Sequence, residues 1–260
     1  MKIGKVVDAL ERFAPLPLQE SYDNAGLQIG LTEAEVSGVL LCLDVTEAVV
    51  DEALRRGCNL IVSHHPLIFR KLAHVTGNTY VERCVAKSIK NDIAIASMHT
   101  NLDAALGGVN HKIAEKMGLQ RLVGIGEMKC VDGVDGSSGV VGVLAEPMAA
   151  DDFIAMLKRT FNVECVQANR PLQRPISKVA VCGGAGSFLL DDAVRAGADA
   201  FVTGEMHYHE FFGHDGELQI AVIGHYQSEQ FTAEVLRSII EPLGVRCCMS
   251  EINTNPIMYF

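Results

Sequence analysis

Several features that would assign the chain to a familiar protein class are missing from its sequence. No apolar stretch reaches the roughly 18 residues that a membrane-spanning helix requires, so we expect no membrane partner. Positive charge is also scarce, because 22 Lys and Arg residues stand against 32 Asp and Glu residues. A general nucleic-acid binder neutralises phosphates with Lys and Arg, so a nucleic-acid partner is not expected. The sequence contains no Gly-x-x-x-x-Gly-Lys-[Ser/Thr] phosphate-binding loop either.

The cysteine pattern argues against two further classes. Eight cysteines are scattered along the chain and none forms a Cys-x-x-Cys pair, so neither a zinc ribbon nor a thioredoxin motif is predicted. Several of them lie in apolar runs, where cysteine behaves as a small hydrophobic residue. Asp8 and Glu11 interrupt the basic start of the chain, which therefore does not resemble a signal peptide. With no export signal, we expect a reduced protein in the cytoplasm.

The chain contains an internal repeat. Its 260 residues, of which 48% are hydrophobic, suffice for one large domain or two modest ones. Residues 39–63 align without a gap on residues 179–203, and the identical pairs include two cysteines, two aspartates and two arginines. Each copy reads as a strand, a helix and a strand, which predicts a βαβ unit with parallel strands. Any two βαβ units look somewhat alike, but the shared charged positions favour a duplication.

The remaining sequence alternates in the same way between helical and extended patterns. We predict an α/β protein with two α/β lobes related by the internal repeat. The first lobe is predicted to comprise residues 1–125, with residues 225–260 packing back on it, and the second residues 126–224. Thr46 and Ser187 are predicted helix N-caps. Further elements are predicted as helices at 6–13, 79–89, 108–117, 150–161 and 229–240 and as strands at 93–97, 140–144, 163–166, 220–223 and 247–250.

Polar side chains cluster after four of the predicted strands. In open α/β sheets, ligands bind outside the carboxyl ends of the strands. Imidazoles and carboxylates without cysteine suit zinc, iron or manganese. Each cluster alone fits a polar turn or a helix cap equally well, but four together favour a shared metal site. Their members are His64 and His65; His99, Asn101 and Asp103; Glu205, His207 and His209; and His225 and Glu229.

Five of these residues are the strongest candidate ligands: His64, His65, Asp103, His225 and Glu229. If Glu229 bridges two ions, each ion has about three protein ligands, whereas structural zinc sites are normally closed by four. An ion with three protein ligands can bind a water molecule and ionise it near neutral pH. We therefore expect two divalent metal ions per subunit at a catalytic type of site.

Four motifs resemble those of the Nif-three-like family, which includes the YbgI-like proteins and homologues of type 2 GTP cyclohydrolase. They are Tyr-Asp-Asn-Ala-Gly-Leu-Gln-Ile-Gly at 22–30, Ser-His-His-Pro-Leu at 63–67, His-Thr-Asn-Leu-Asp at 99–103 and Gly-His-Tyr-Gln-Ser-Glu at 224–229. The resemblance implies two α/β lobes related by the internal repeat, a dinuclear metal site in the cleft between them and a ring-shaped homohexamer. It also implies that His65 and Asp103 serve one ion, that His64 and His225 serve the other, and that Glu229 lies between them.

Two functions are compatible with such a site. The first is a metal-dependent hydrolase that attacks a phosphorylated or nucleotide-like substrate with a metal-activated water, with Glu205, His99 or His209 transferring the proton. A cyclohydrolase reaction is suggested by the family label alone. The alternative is a non-enzymatic metal carrier, or a metal-dependent scaffold or regulatory protein.

Two polar pairs near the motifs have simpler interpretations. Asp23 and Asn24 fit an Asx-type turn better than a ligand role, because Asp and Asn readily bond nearby backbone. Arg70 and Lys71 could meet a substrate phosphate, but a solvated turn is favoured. Glu205 occupies the repeat position of His65, so the duplication is expected to have kept the metal site in one copy.

Overall fold

The computed structural model describes residues Met1–Met258. The chain folds into two compact units, the first formed by Met1–Leu102 with the chain from Thr232 onward, and the second by Asp103–Phe231. The lobe boundaries predicted after residues 125 and 224 lie inside the second unit. The last two residues of the predicted C-terminal segment 225–260 lie outside the described residues.

The first unit is built on a five-stranded sheet in the order β1-β4-β3-β2-β11. Strands β11, β2, β3 and β4 run parallel, and β1 is antiparallel to β4. Its strands are β1 (Gly26–Ile29), β2 (Val39–Cys42), β3 (Leu60–Ser63), β4 (Ala94–Ser97) and β11 (Cys247–Met249). Its helices are α1 (Ile3–Phe13), α2 (Glu47–Arg55), α3 (Tyr80–Lys90) and α9 (Thr232–Ile240), and α4 (Thr100–Ala104) begins in it.

The second unit contains a six-stranded sheet in the order β5-β6-β8-β9-β10-β7. Strands β8, β9 and β10 are parallel, and β5, β6 and β7 join them by antiparallel pairing. Its strands are β5 (Gln120–Val131), β6 (Val134–Met148), β7 (Gln167–Ala168), β8 (Ile176–Cys182), β9 (Ala200–Thr203) and β10 (Gln219–Val222). Its helices are α5 (Val109–Lys116), α6 (Ala150–Phe161), α7 (Leu190–Arg195) and α8 (His225–Glu229).

The register of the strands confirms the internal repeat. Val39 lies opposite Leu60 in the first sheet, and the equivalent Val179 lies opposite Ala200 in the second. The repeat extends beyond the aligned residues, because a third parallel strand follows in each copy, β4 beside β3 and β10 beside β9. A helix of five residues comes after each third strand, α4 in the first copy and α8 in the second. Each residue at the carboxyl end of a strand in the first copy therefore has an equivalent residue at the end of the matching strand in the second copy.

Each unit has its own apolar core. Leu40, Val49 and Ile61 are fully buried between sheet and helices in the first unit, as Phe201 and Ile220 are in the second. The central strands are buried along their whole length, which parallel βαβ sheets covered on both faces require. None of the helices within residues 1–258 combines the length and apolar character needed to cross a bilayer.

Several elements differ from the sequence prediction. The predicted helix 229–240 is divided between the end of α8 and α9. The predicted strand 163–166 is absent, and the two-residue strand β7 begins directly after it at Gln167. Strands β1 and β5 were not predicted. Thr46 caps α2 as predicted, accepting the Val49 amide, whereas Ser187 caps nothing and donates to the Glu210 carboxylate.

Candidate metal-binding site

The end of β3 brings His64 and His65 side by side. Their amides donate to the carbonyls of Cys42 and Leu43, at 3.2 and 3.0 Å, so pairing with the chain of β2 continues past the regular strand. Ser63 donates to the His65 carbonyl at 2.9 Å, which holds this irregular end in place. Adjacent side chains of a regular strand point to opposite faces. Here the two imidazole rings lie with their centroids only 4.8 Å apart.

His99 joins this pair from the end of β4. Its ring centroid lies 5.3 Å from that of His64 and 5.4 Å from that of His65. Each of the three rings offers one nitrogen, and these nitrogens all lie within 4.8 Å of one another. Three imidazole nitrogens at this spacing could hold a metal ion, because neutral imidazole is the commonest metal ligand in proteins.

The three rings share one pattern of hydrogen bonds. The Nδ1 atom of His64 lies 2.8 Å from the Met98 carbonyl, that of His65 lies 2.7 Å from Asp44 Oδ1, and that of His99 lies 2.7 Å from Asp23 Oδ1. All three acceptors are oxygens, so a neutral ring keeps its proton on Nδ1 and its lone pair on Nε2. Carboxylates and carbonyls in this position fix the tautomer and orientation of metal-binding histidines.

The carboxylates behind His65 and His99 are held in the ionised form. Burial favours the protonated form of Asp23, but hydrogen bonds from His99 and Thr100 outweigh it and lower its pKa to about 2. Burial likewise opposes ionisation of Asp44, and hydrogen bonds from His65 and Thr254 lower its pKa. Both imidazoles are thus backed by a negative charge, which makes them better ligands for a cation.

Asp23 and Asp44 had not been predicted to support the histidines. The Asp23 carboxylate accepts the Asn24 amide at 2.7 Å, one residue on rather than the two residues of an Asx turn, and the same carboxylate bonds to His99. Asp44 lies two residues beyond the end of β2, at the same edge of the sheet as the histidine pair. The clustering of polar residues after strands was therefore a usable signal for Asp44.

In the second unit, helix α8 places His225 and Glu229 one turn apart. The His225 Nε2 atom lies 3.2 Å from Glu229 Oε2, and its Nδ1 atom lies 2.8 Å from Glu205 Oε1. Residues at i and i+4 of a helix face the same side, so the pair comes together without help from other elements. The Glu229 side chain is only 4% exposed, which is uncommon for a carboxylate.

Gly184 makes room for this carboxylate. A Cβ atom at residue 184 would lie 2.3 Å from Glu229 Oε1 and 3.4 Å from the His225 ring. The residue also has a φ of +58°, a conformation that glycine adopts at no steric cost. Gly184 occupies the repeat position of Asp44. The first copy therefore has a carboxylate at this position, and the second has a space that Glu229 fills.

Asp103 lies on α4, and its carbonyl accepts a hydrogen bond from Asn110 at 3.1 Å. Burial raises the pKa of the Cys182 thiol, and the negative charges of Asp103 and Glu229 raise it further. Two carboxylates therefore act on the same buried sulfur at the end of β8. A local concentration of negative charge of this kind suits a cation.

The other predicted residues have different surroundings. Glu205 is exposed and its carboxylate contacts His225, so it lies beside a candidate ligand. His209 is exposed and stacks on Phe212, with 6.3 Å between ring centroids. Arg70 and Lys71 are exposed, in agreement with a solvated turn.

Comparison with known proteins identifies the family. The model of the family described as Duf34/NIF3 (NGG1p interacting factor 3) matches residues 1–256. The chain belongs to the Duf34/NIF3 family. Its Duf34/NIF3 relatives include a Clostridium perfringens protein, 36% identical over 88% of this chain and 87% of its own length, and a Lactococcus lactis protein, 32% identical over 98% of both chains. Both relatives carry the name "GTP cyclohydrolase 1 type 2 homolog".

Solved structures agree with the Duf34/NIF3 assignment. The Staphylococcus aureus protein SA1388 superposes with a TM-score of 0.91 at 31% identity, covering 100% of this chain and 99% of that one. The protein ybgI superposes with a TM-score of 0.85 over 99% of this chain and 100% of its own, and its 22% identity shows the fold alone. The predicted family and the predicted α/β fold class are thereby confirmed.

Proposed function

We propose that this Duf34/NIF3 protein binds two divalent metal ions through His64, His65, Asp103, His225 and Glu229. The observation that carries the proposal is the group of three imidazoles at the ends of β3 and β4, each with Nδ1 on an oxygen acceptor. In a neutral ring this arrangement places the metal-binding lone pair on Nε2. The buried Glu229 beside His225 adds the charge that a pair of cations needs.

The proposed sharing of ligands follows the family resemblance. His65 and Asp103 bind one ion, His64 and His225 bind the other, and Glu229 lies between them. This gives each ion three protein ligands and leaves coordination positions for substrate and water, as in catalytic rather than structural sites. Nitrogen and oxygen donors without sulfur suit zinc, iron or manganese.

We further propose that the site hydrolyses a phosphorylated or nucleotide-like substrate. When bound, the ions would supply Lewis acidity, which lowers the pKa of a water molecule towards neutrality. Among this chain's own residues, His99 is the best supported proton acceptor, because Asp23 fixes its Nδ1 proton and leaves Nε2 to receive another. Glu205 orients His225 through its hydrogen bond to Nδ1. The substrate class is supported by the relatives' name, "GTP cyclohydrolase 1 type 2 homolog".

Metal analysis and a turnover screen test both parts of the proposal. The chain, purified with added zinc, iron or manganese, is expected to hold two ions, and His64→Ala is expected to lose metal while its circular dichroism is unchanged. His74→Ala is the matched control, because His74 is an exposed histidine of the same unit. With the metal that gives the highest activity, the parent chain and His74→Ala should hydrolyse nucleotides and phosphate esters, whereas His64→Ala should not.

The two parts of the proposal fail separately. Less than one ion per chain with every metal would exclude the metal site. Two ions without any turnover would remove the hydrolase and leave the metal carrier or metal-dependent scaffold, which should then pass its ions to an acceptor chelator faster than they dissociate unaided.

We also propose that the protein works as a homohexamer in the cytoplasm, as the family resemblance implies. All eight cysteines are free thiols, which suits a reducing compartment. Size-exclusion chromatography with light scattering tests the hexamer, and a mass of one or two chains would contradict it.

A further inference from the structure

The thiols of Cys58 and Cys248 lie in the first unit, and neither residue is a proposed metal ligand. Cys58 follows α2, and its amide donates to the Ala53 carbonyl at 2.8 Å. Cys248 is in β11, opposite Leu40 of β2. The Cys58 side chain belongs to the core cluster of this unit, and the partly buried Cys248 packs against that cluster. The two residues are 190 positions apart in sequence and meet through the parallel pairing of β11.

The guanidinium of Arg246 contacts both sulfurs. Its Nη2 atom donates to the Gly57 carbonyl at 2.9 Å and lies 3.8 Å from the Cys58 sulfur. Its Nη1 atom lies 4.0 Å from the Cys248 sulfur. The Cys58 and Cys248 sulfurs thus both lie within 4.0 Å of one guanidinium group. Two sulfurs beside one guanidinium, on side chains that pack in one core cluster, lie close enough in the fold to approach each other as disulfide formation requires.

We propose that Cys58 and Cys248 are a redox-active pair that closes to a disulfide when the protein meets a peroxide. In the first step the Cys248 sulfur attacks one peroxide oxygen, the O–O bond breaks, and the departing hydroxide takes up the thiol proton and leaves as water, giving a sulfenic acid. In the second step the Cys58 sulfur attacks this sulfenic sulfur, an S–S bond forms, and water leaves. Two thiols are oxidised and one peroxide is reduced to two waters.

The surroundings of the two thiols assign these roles. Cys58 is only 3% exposed, and burial raises its pKa, so it is poorly placed to meet the oxidant first. Cys248 is partly exposed and can be reached from solvent. The neighbouring Cys247 is not equivalent, because successive side chains of a strand point to opposite faces. Burial raises the pKa of Cys247 to about 11, and it lies near Arg237 of α9.

The bond would fasten β11 to the chain after α2. The segment beyond β11 is already tied to α2, because Ser250 and the Glu251 amide both donate to the Glu52 carboxylate. Further along, Thr254 donates to Asp44, the residue that accepts from His65. Oxidation at Cys248 thus acts at the start of a segment that ends beside a candidate ligand.

The test is peptide mapping of the full-length chain after treatment with hydrogen peroxide and blocking of the remaining thiols with iodoacetamide. We expect a cross-linked peptide pair that contains Cys58 and Cys248 and disappears on reduction with dithiothreitol. Cys247 and Cys248 lie on one tryptic peptide, since trypsin cleaves after Arg246, so the assignment is made in the variant Cys247→Ser. This matched control is expected to form the disulfide at the parental rate.

The variant Cys248→Ser is expected to abolish the cross-link and to leave Cys58 open to alkylation after unfolding. If that variant does not fold, the parental chain still decides, because Cys58 and Cys248 must lose alkylation in a ratio of one to one as peroxide is added. Oxidation confined to the exposed Cys130 and Cys165, or a cross-link that persists in Cys248→Ser, would overturn the proposal.

Discussion

The Asp44 carboxylate fixes the tautomer and the orientation of the His65 ring. Asp44 accepts the His65 Nδ1 proton at 2.7 Å and is itself fixed by Thr254 at 2.6 Å. In Asp44→Asn an amide group can offer a proton where the carboxylate accepted one, so the ring is no longer held with its lone pair on Nε2. Loss of such a partner typically weakens metal binding by roughly 10- to 100-fold, and we expect a loss of this size. Competition titration with a coloured chelator measures it.

The control for this prediction is Glu47→Gln. Glu47 is a carboxylate of the same unit that pairs with Arg83 at the surface and contacts no candidate ligand. We expect its metal affinity to equal that of the parent chain. Equal affinities for the parent and Asp44→Asn would show that Asp44 has no role in holding His65.

The space at Gly184 gives a second prediction at the level of one residue. Gly184→Ala places a methyl group 2.3 Å from Glu229 Oε1, so we expect it to lose metal binding. Gly197→Ala is the matched control, because Gly197 also has a positive φ, +66°, but has no atom within 4 Å of the added methyl. Both variants pay about 1–2 kcal/mol for the left-handed conformation, which urea unfolding measures.

Only the first variant is expected to lose metal affinity as well, as followed by the same chelator titration. If both variants bound metal like the parent, Glu229 would not need the space that Gly184 leaves. If both lost metal equally, backbone strain in this unit would be the cause and not the contact with Glu229.

The candidate ligands were more predictable than the residues around them. His64, His65 and His225 stand directly after strands or one residue beyond them, where the sequence pattern is local and clear. The position of Asp44 near a strand end is a local signal, but its partner His65 lies more than 20 residues away in sequence. Gly184 carries no local signal, because its importance comes from the distant Glu229 side chain. What supports a ligand is set by tertiary packing, which periodicity does not encode.

Among the strands too, those of the repeat have a local sequence pattern and were predicted, whereas β5 depends on packing against distant residues and was missed. The register of the repeat was implied by an ungapped alignment, and the structure confirms it. Strand β5 escaped prediction because it contains glycines, which weaken a strand pattern. Gly124 and Gly126 lie where side chains of Ser137 and Leu189 approach to 2.7 and 2.5 Å of an added Cβ, so close packing against neighbours explains them.

The first turn of α3 gives a prediction about how the stability of the fold depends on pH. Four hydrogen bonds from residues 76–79 reach the Glu82 carboxylate, and bonds to the Thr76 amide and hydroxyl are the main reason that its pKa falls from 4.5 to about 2. Between these two pH values the unfolded chain binds the proton and the folded chain does not. Glu82 therefore stabilises the fold fully above pH 4.5, and this contribution is lost as the pH falls towards 2.

In Glu82→Gln we expect lower stability than the parent at pH 7 and a difference that shrinks as the pH falls below 4.5. Urea unfolding at a series of pH values measures both. Asp51→Asn is the control, because Asp51 forms a partly exposed ion pair with Lys87 of α3, and ion pairs near the surface contribute little. A constant difference between Glu82→Gln and the parent at all pH values would contradict the assignment.

The two units differ in whether one continuous stretch of chain or two separate stretches form them. The second is continuous, Asp103–Phe231, whereas the first needs Met1–Leu102 and the chain from Thr232 onward. The five proposed ligands are divided between them, with His64 and His65 in the first unit and the other three in the second. Duplication of a βαβ unit predicted two sheets. The C-terminal chain, which was predicted to pack back on the first lobe, joins the first sheet as β11 through pairing over about 200 residues of sequence separation.

The continuous unit should therefore fold alone. A fragment of residues 103–231 contains its complete six-stranded sheet and core cluster, so we expect cooperative thermal unfolding and native circular dichroism. The matched fragment joins residues 1–102 to residues 232–260 through a short Gly-Ser linker. Because each fragment holds only part of the proposed ligand set, we expect both to bind zinc or manganese more weakly than the whole chain. Isothermal titration calorimetry compares the three proteins, and tight binding of two ions by either fragment would show that the ligands do not act together.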